Sequence, residues 1–355
     1  MKTRVTVHDI ATHAGVSIGT VDRVMHNRSG VSPASRQKVL DAMEQLGYRL
    51  NTTASLLANK KHYRICCLLP KYTTGDYWGL VHGAIGRAES DAAHYNLSIE
   101  TIDYDQFSRE EFLGAVERLK ANPPQGVIMA PIYHSDTIEL SHYLAEHKIP
   151  LVFIDSKVVE AEYMAYYGLP MFESGYLAAS LLLGDSAPES IVNFRIERGA
   201  TEVDNPTLNR RQGFLDYVAH HHPTLDIYNE FLRPYDRAYN FELMDRFFAA
   251  HPEVRHIVTF NSRVHLIADY LAERQMGSGM NVVGFDLLER NCEALRSGAV
   301  RWLIVQRTEV QLRRGVDALA ERLAFGKLPA QRDNFMPMDI LTSANIEYYS
   351  ELYKG

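Results

Sequence analysis

The stretch "VTVHDIATHAGVSIGTVDRVMHNRSGVSPASRQKVLDAMEQLGYRLN", residues 5–51, decides how the chain is read. Thr6 with Asp9 three residues on has the form of a capping box. Val7, Ile10, Ala11 and Ala14 recur at helical spacing, and Gly15 breaks the run. Ser17 is a good N-cap for a second short helix carried by Thr20, Val21, Val24 and Met25. After a turn over 27–30, Ser32 and Pro33 supply a cap and an N1 proline for a third helix. Val39, Leu40, Met43 and Leu46 are expected on its inner face, and Gly47 ends it. Helix, glycine turn, helix, loop, helix is the layout of a helix-turn-helix DNA-binding unit. A generic small helical bundle has the same spacing and stays open at this point.

Outward from that segment the charge changes sign. Residues 1–61 hold nine Lys/Arg against four Asp/Glu, or +5, and the remainder carries 28 bases against 40 acids, or −12. A basic head on an acidic body fits a polyanion-binding module joined to something that is not one. The 355 residues, 46% hydrophobic and 23% charged, exclude a disordered chain and suggest about two domains. No run is apolar and long enough to span a membrane, and MKTRVTVHDI lacks the apolar stretch of a secretory leader, so a cytoplasmic location is expected. Three cysteines, at 66, 67 and 292, make neither a disulfide framework nor a zinc pattern. No metal or cofactor is expected.

From residue 63 strands alternate with helices. RICCLLP, LSIETIDY, GVIMAP and PLVFID read as strands, with helices over 78–95, 109–121 and 136–147 between them. A second half repeats the layout: SIVNF, LDIYNE, HIVTF, NVVGF and RWLIVQ are strands. Helices are expected over 173–183, 207–220, 240–250, 263–274, 287–297 and 308–325, with a last strand near 334–341. Repeated βα units mean parallel sheets covered by helices, and roughly ten strands fit two sheets better than one. Ligands bind at the carboxyl ends of such strands. Those ends carry Tyr77 and Trp78, Asp155, Asn261, Asp286 and Gln306. Carboxylates and amides beside aromatic faces are the mixture that polyol recognition needs. Each has a structural alternative: the aspartates as caps, Asn261 as a turn former, Gln306 as a strand-end bonder, and Tyr77 or Trp78 as core. Two cleft aspartates could also form a glycosidase pair, but nothing in the sequence marks one as a tuned acid. The chain has no GxSxG elbow following a strand, and no P-loop, GxGxxG or HExxH motif.

The 5–51 segment resembles the N-terminal domain of the lactose-repressor (LacI/GalR) family, whose pattern runs D-[IV]-A-x-x-A-G-V-S-x-x-T-V-S-R-V, then V-S-x-x-T-R-x-x-V, then L-G-Y. The resemblance implies that Ser17 and Thr20 hold phosphates, that Ile18, Gly19 and Arg23 lie in the major groove, and that Asn27 belongs to the same DNA-binding set. Arg23 alone of the three groove residues can bind guanine in bidentate fashion. Asp22 departs from the usual Ser. "NTTASLLANKK" (51–61) resembles the family hinge, with Leu57 as minor-groove wedge and Asn51 and Ala54 flanking it. Leu50 and Ser55 replace the usual proline and arginine there, and an ordinary helical extension is the alternative.

The body resembles the type I periplasmic sugar-binding fold through "ICCLLP…DYWGLVHGA", "GVIMAPI", "IPLVFID", "NRRQGF", "IVTFNS", "VVGFD" and "VQR". That implies a headpiece at 1–50, a hinge at 51–62 and an effector body at 63–355. The body's N-subdomain is expected at about 63–164 plus 304–331, and its C-subdomain at about 165–303 plus 332–355. It also implies that Asp155, Asn261, Asp286 and Gln306 contact the ligand beside a Tyr77/Trp78 wall. The position expected for the family's sugar-binding arginine is Leu208, so Arg195, Arg198 or Arg210 is the substitute, with Arg210 favoured. The usual V-x-x-D-N run is replaced around Gly168-Leu169-Pro170. The function so implied is a repressor, not an enzyme. It would bind double-stranded DNA at a pseudo-palindromic operator as a homodimer or tetramer, under control of a monosaccharide or derivative. A sugar-binding protein or carbohydrate-active enzyme without specific DNA binding is the alternative.

Overall fold

A computed structural model describes residues 5–25, 29–46, 61–184, 188–196, 207–277 and 279–352. The head contains three helices, α1 (Val7–Ala14), α2 (Ile18–Met25) and α3 (Pro33–Gln45). The capping box forms: Thr6 N–H donates to Asp9 Oδ2 at 2.7 Å, and Asp9 N–H donates to Thr6 Oγ1 at 3.3 Å. Gly15 ends α1 at φ +63°, the left-handed region that an L side chain enters only at a cost. Ser32 caps α3, with Pro33 at its first turn. Ile10, Ala11, Ala14, Val21, Val24, Val39 and Ala42 form the core. Leu40 is not on the inner face as expected. It is 45% exposed, and Ala42 is buried in its stead. Positions 39 and 42 share a helix face three residues apart, whereas 40 lies about 100° round from 39.

The body starts with β1 (Tyr63–Pro70), a nearly continuous buried run, as a strand covered on both faces must be. It continues through α4 (Tyr77–Asp91), β2 (Leu97–Tyr104), α5 (Arg109–Ala121), β3 (Gly126–Met129), α6 (His134–Glu146), β4 (Leu151–Asp155) and β5 (Ala165–Gly168). The second half holds α7 (Met171–Leu183), β6 (Ser190–Ile196), α8 (Thr207–His221), β7 (Asp226–Leu232), α9 (Arg237–Ala250), β8 (His256–Val258), α10 (His265–Glu273), β9 (Asn281–Phe285), α11 (Glu289–Arg296) and β10 (Trp302–Val305). Then come α12 (Thr308–Phe325), β11 (Asp333–Phe335), β12 (Asp339–Leu341) and α13 (Ile346–Leu352). Two six-stranded sheets result, ordered β11-β5-β4-β3-β1-β2 and β12-β10-β9-β8-β6-β7. All pairings are parallel except β10 with β12, in the register Ile304 to Ile340.

The chain passes between the sheets three times: after β5, after β10, and between β11 and β12. The single strand expected near 334–341 is therefore two strands in different sheets, parted at Pro337. The subdomain boundaries expected from the sequence are corrected accordingly. β5 and β11 pair into the first sheet, which moves 165–168 and 333–335 to the first half. β10 pairs with β9, which moves 304–305 to the second. Helix α12 returns to cover β3, β4 and β5. It approaches closely where Gly315 faces Val152, to which an added Cβ would come within 3.2 Å.

Candidate functional site

On the head, α2 turns Val21 and Val24 into the core and leaves Ile18, Gly19 and Arg23 exposed. Ser17 Oγ accepts from Thr20 N–H at 3.1 Å, and the two hydroxyls lie 2.9 Å apart. The five expected DNA contacts that lie on described residues are thus grouped at the start and outer face of one helix. Asp22 is half-buried and has a partner. Asn27, Asn51, Ala54 and Leu57 lie outside the described residues, as does Arg198.

In the body, the carboxyl ends of both sheets surround a cleft open to solvent. Its lining includes Tyr77, Trp78, Asp155, Arg210, Asn261 and Asp286, six of the seven expected ligand residues. The seventh, Gln306, lies behind them on the crossover between β10 and α12. Its Nε2 donates to Asp155 Oδ1 at 3.1 Å and to Asp286 Oδ1 at 3.0 Å, joining the two halves at the cleft floor. Asp155 and Asp286 occupy equivalent places at the ends of β4 and β9, with φ +64° and +70°. Asp tolerates this left-handed conformation better than most residues, and it turns each carboxylate off the strand into the cleft. Tyr77 OH donates to Asp155 Oδ1 at 2.6 Å. Trp78 packs edge-on to Tyr77 at 5.0 Å and donates from Nε1 to Gln106 Oε1 at 3.4 Å.

Helix α8 carries Arg210 to the cleft. Gly175 and Gly213 let α7 and α8 touch backbone to backbone: a Cβ on Gly213 would stand 1.8 Å from the Phe172 carbonyl oxygen, and one on Gly175 1.7 Å from that of Arg210. The buried Arg210 guanidinium lies 4.3 Å from the centre of the Phe285 ring and donates from Nη1 to the Phe260 carbonyl at 3.0 Å. Its Nε is buried with no hydrogen-bond partner among the described residues. A buried charged donor left unsatisfied is costly and is relieved by an incoming acceptor. Leu208 does not line the cleft. Arg195 stacks on Phe231 and is likewise absent from the lining.

Burial pushes the Asp286 carboxyl up to about 6. Arg210 opposes the rise, Asp155 adds to it, and the Gln306 hydrogen bond opposes it. Burial and the neighbouring Asp155 also hold the Tyr77 phenol neutral, far above its ordinary range. A raised carboxyl is what a glycosidase acid needs, but a glycosidase pair must flank the bond it cleaves. Here both carboxylates point an oxygen at the same amide nitrogen, which fills the space between them.

Three polar side chains escaped the sequence reading. Gln311, fully buried on α12, accepts from Asp155 N–H at 2.9 Å and donates to Gln306 Oε1 at 2.9 Å. Asn291, fully buried on α11, donates from Nδ2 to the carbonyls of Ser262, Phe285 and Asp286 at 2.9–3.1 Å. Its Oδ1 takes the His265 ring Nδ1–H at 2.8 Å, and burial drives that imidazole down to about 4, so the ring stays neutral. Tyr166 OH donates towards the carbonyls of Asp155 and Leu169. No local pattern marks these residues, and some of their partners, such as Asp155 for Gln311 and His265 for Asn291, are distant in the chain. Asn261 lines the cleft and also forms a turn: Oδ1 accepts from Arg263 N–H at 2.8 Å, and Nδ2 donates to Thr259 Oγ1 at 2.6 Å. Among the described residues no cluster of side chains is placed to hold a metal ion, and no helix is long and apolar enough to cross a membrane.

The family model for the periplasmic binding protein domain matches residues 66–328, and that for the bacterial regulatory proteins of the lacI family matches 6–51. The chain is 31% identical to the HTH-type transcriptional regulator DegA of Bacillus subtilis over 43% of its own length, and that match spans 44% of DegA. Against the HTH-type transcriptional regulator MalR of Streptococcus pneumoniae it is 26% identical, over 79% of this chain and 83% of MalR. A solved structure from Bacteroides fragilis, classed with the LacI transcriptional regulators, superposes with a TM-score of 0.77. It is 34% identical, over 81% of this chain and 100% of its own. A three-helix head and a two-sheet body, each matched, make this chain a member of the lacI family of bacterial regulatory proteins with a periplasmic-binding-protein domain as its body.

Proposed function

We propose that the protein is a transcriptional repressor, working as a homodimer in the bacterial cytoplasm. Its grip on a pseudo-palindromic operator is set by a small sugar or sugar derivative in the cleft. The chain divides by function into a DNA-binding headpiece within 1–50, a hinge over 51–62 and an effector body beyond. In the headpiece Ser17 and Thr20 hold phosphates, while Ile18, Gly19 and Arg23 face the bases, with Asn27 alongside. In the hinge Leu57, between Asn51 and Ala54, wedges the minor groove. In the body Asp155, Asp286 and Asn261 take sugar hydroxyls, Arg210 Nε supplies a donor, and Tyr77 and Trp78 cover the apolar side of the ring.

One observation carries this reading: the Gln306 amide ties a carboxylate of each half at the cleft floor, on a segment where the chain crosses between them. A ligand that competes for those carboxylates acts on the joint that sets the angle between the halves. That gives it the differential affinity for two arrangements that a switch requires.

The test is a thermal-shift screen of monosaccharides, disaccharides and sugar phosphates, then a gel-shift on DNA flanking the gene with and without the hit. A bound sugar raises the melting temperature by mass action. It is expected to change operator affinity about 5–150-fold. A protein that shifts no fragment selectively, with or without any sugar that stabilises it, refutes the proposal.

A further inference from the structure

Asp155, Gln306 and Gln311 form a closed ring of hydrogen bonds whose direction is set by one main-chain group. Asp155 N–H can only donate, so the Gln311 atom 2.9 Å from it is the oxygen. The Gln311 nitrogen then faces Gln306 at 2.9 Å and must meet an oxygen there. That leaves the Gln306 nitrogen turned to the two carboxylates. All three side chains are buried, and Gln311 is fully so. A flipped Gln306 would put its oxygen against two carboxylate oxygens.

We infer that Gln311 is a positioning residue of the cleft: it holds the Gln306 amide in the one orientation that keeps both carboxylates supplied with a donor, and so keeps them as acceptors towards the cleft. Neither the comparisons nor the ligand-contact set expected from the sequence assigns it a role. Calling the site it serves an effector site rests on the proposed function; the orientation itself does not.

The groups facing Asp286 are Arg210 from α8, Asp155 from β4, Tyr77 from α4 and Gln306 from the crossover. Of the two hydrogen-bond donors among them that touch the carboxylates, Gln306 is the one shared by both. Removing its anchor weakens stabilisation of the ionised Asp286, because a hydrogen bond to the charged form is one of the three terms that fix a carboxyl's titration.

The experiment follows melting temperature against pH, from 5 to 8, for the wild type, Gln311→Met, Asp286→Asn and the double variant. Selectively labelled glutamine amides are followed by nuclear magnetic resonance in the wild type over the same range. In Gln311→Met the pH-driven loss of stability should move upward by about one pH unit. In the double variant that movement should vanish. In the wild type one glutamine side-chain NH₂ signal should shift with a midpoint near the Asp286 value of about 6, and the shift should be lost in Asp286→Asn. An equal drop in melting temperature at every pH for Gln311→Met means that Gln311 only fills space, and overturns the inference. Should that variant not fold, a wild-type spectrum in which no glutamine NH₂ signal responds to pH overturns it too. No sugar is needed in any arm, so failure here leaves the effector reading standing, and failure of the sugar screen leaves this inference standing.

Discussion

Asp155 and Asp286 do the same local job at the ends of two different strands, and burial governs the titration of the second. Asp286 is pushed up from 3.8 to about 6. Over that interval the unfolded chain is ionised while the folded chain holds the proton. Stability from this group is therefore full below 3.8 and is lost as the pH rises to about 6. Asp286→Asn keeps an acceptor for Gln306 and tolerates the left-handed backbone. It should be more stable than the wild type by about 1–3 kcal/mol at pH 7.5, with a smaller gain at pH 5. Urea unfolding at both pH values checks this, and an equal gain at both contradicts the titration. If Arg23 contacts a base as proposed, Arg23→Ala should cost about 1–3 kcal/mol and relax base preference at one position of each proposed half-site; selection from a randomised half-site library would show it. Tyr77, Trp78, Asp155, Asn261 and Asp286 were legible because each follows a strand, where side chains can enter the cleft, whereas Arg210, on a helix, was reached only through the family resemblance. Gln311 and Asn291 were not, because a fully buried amide on an amphipathic helix looks in sequence like any polar residue on its outer face. Their meaning comes from partners such as Asp155, 156 residues from Gln311.

At the scale of elements, the α7–α8 contact is the most demanding packing in the second half. A methyl on Gly213 would collide with a carbonyl oxygen and not with a flexible side-chain end. Gly213→Ala should lower stability by at least about 1–3 kcal/mol. It should also weaken sugar binding by displacing Arg210, three residues away on the same helix. Chemical denaturation and a ligand titration on one preparation separate the two effects; intact sugar binding would detach Arg210 from the helix contact. Long elements such as β1 and α12 were legible from period and composition. Two short strands were not: the AYYG of β5 follows a loop with no alternation, and β11 and β12 merged into one expected strand across Met336-Pro337-Met338. Pro337 was the available signal, since proline cannot donate within a ladder. Leu40 was misplaced because a helix holding few apolar residues leaves its inner face underdetermined by one position.

For the whole molecule, the proposed function requires that coupling between DNA and sugar be reciprocal. If a sugar weakens operator binding by some factor, operator DNA must weaken sugar binding by the same factor. Titrating the sugar into the protein with and without a saturating operator duplex measures this, and unequal factors would mean that the two ligands do not act on one two-state body. The mouth of the cleft adds a contact that such motion would have to disturb: Phe107, after β2, meets Tyr235, after β7, edge-on at 6.5 Å, and Arg263 lies over the same tyrosine at 5.1 Å.

The triple passage of the backbone between sheets also bears on how such a molecule can be cut or inherited. Neither lobe is a contiguous stretch of gene. A fragment ending at residue 170 would lack α12 and β11, and would bare the apolar surface of β3 and β4 that α12 covers. A fragment starting there would keep both pieces with no partner sheet to receive them. Premature stops between β5 and α12 should therefore yield insoluble product and not a surviving half-clamp, and the body must persist or be lost as one heritable unit.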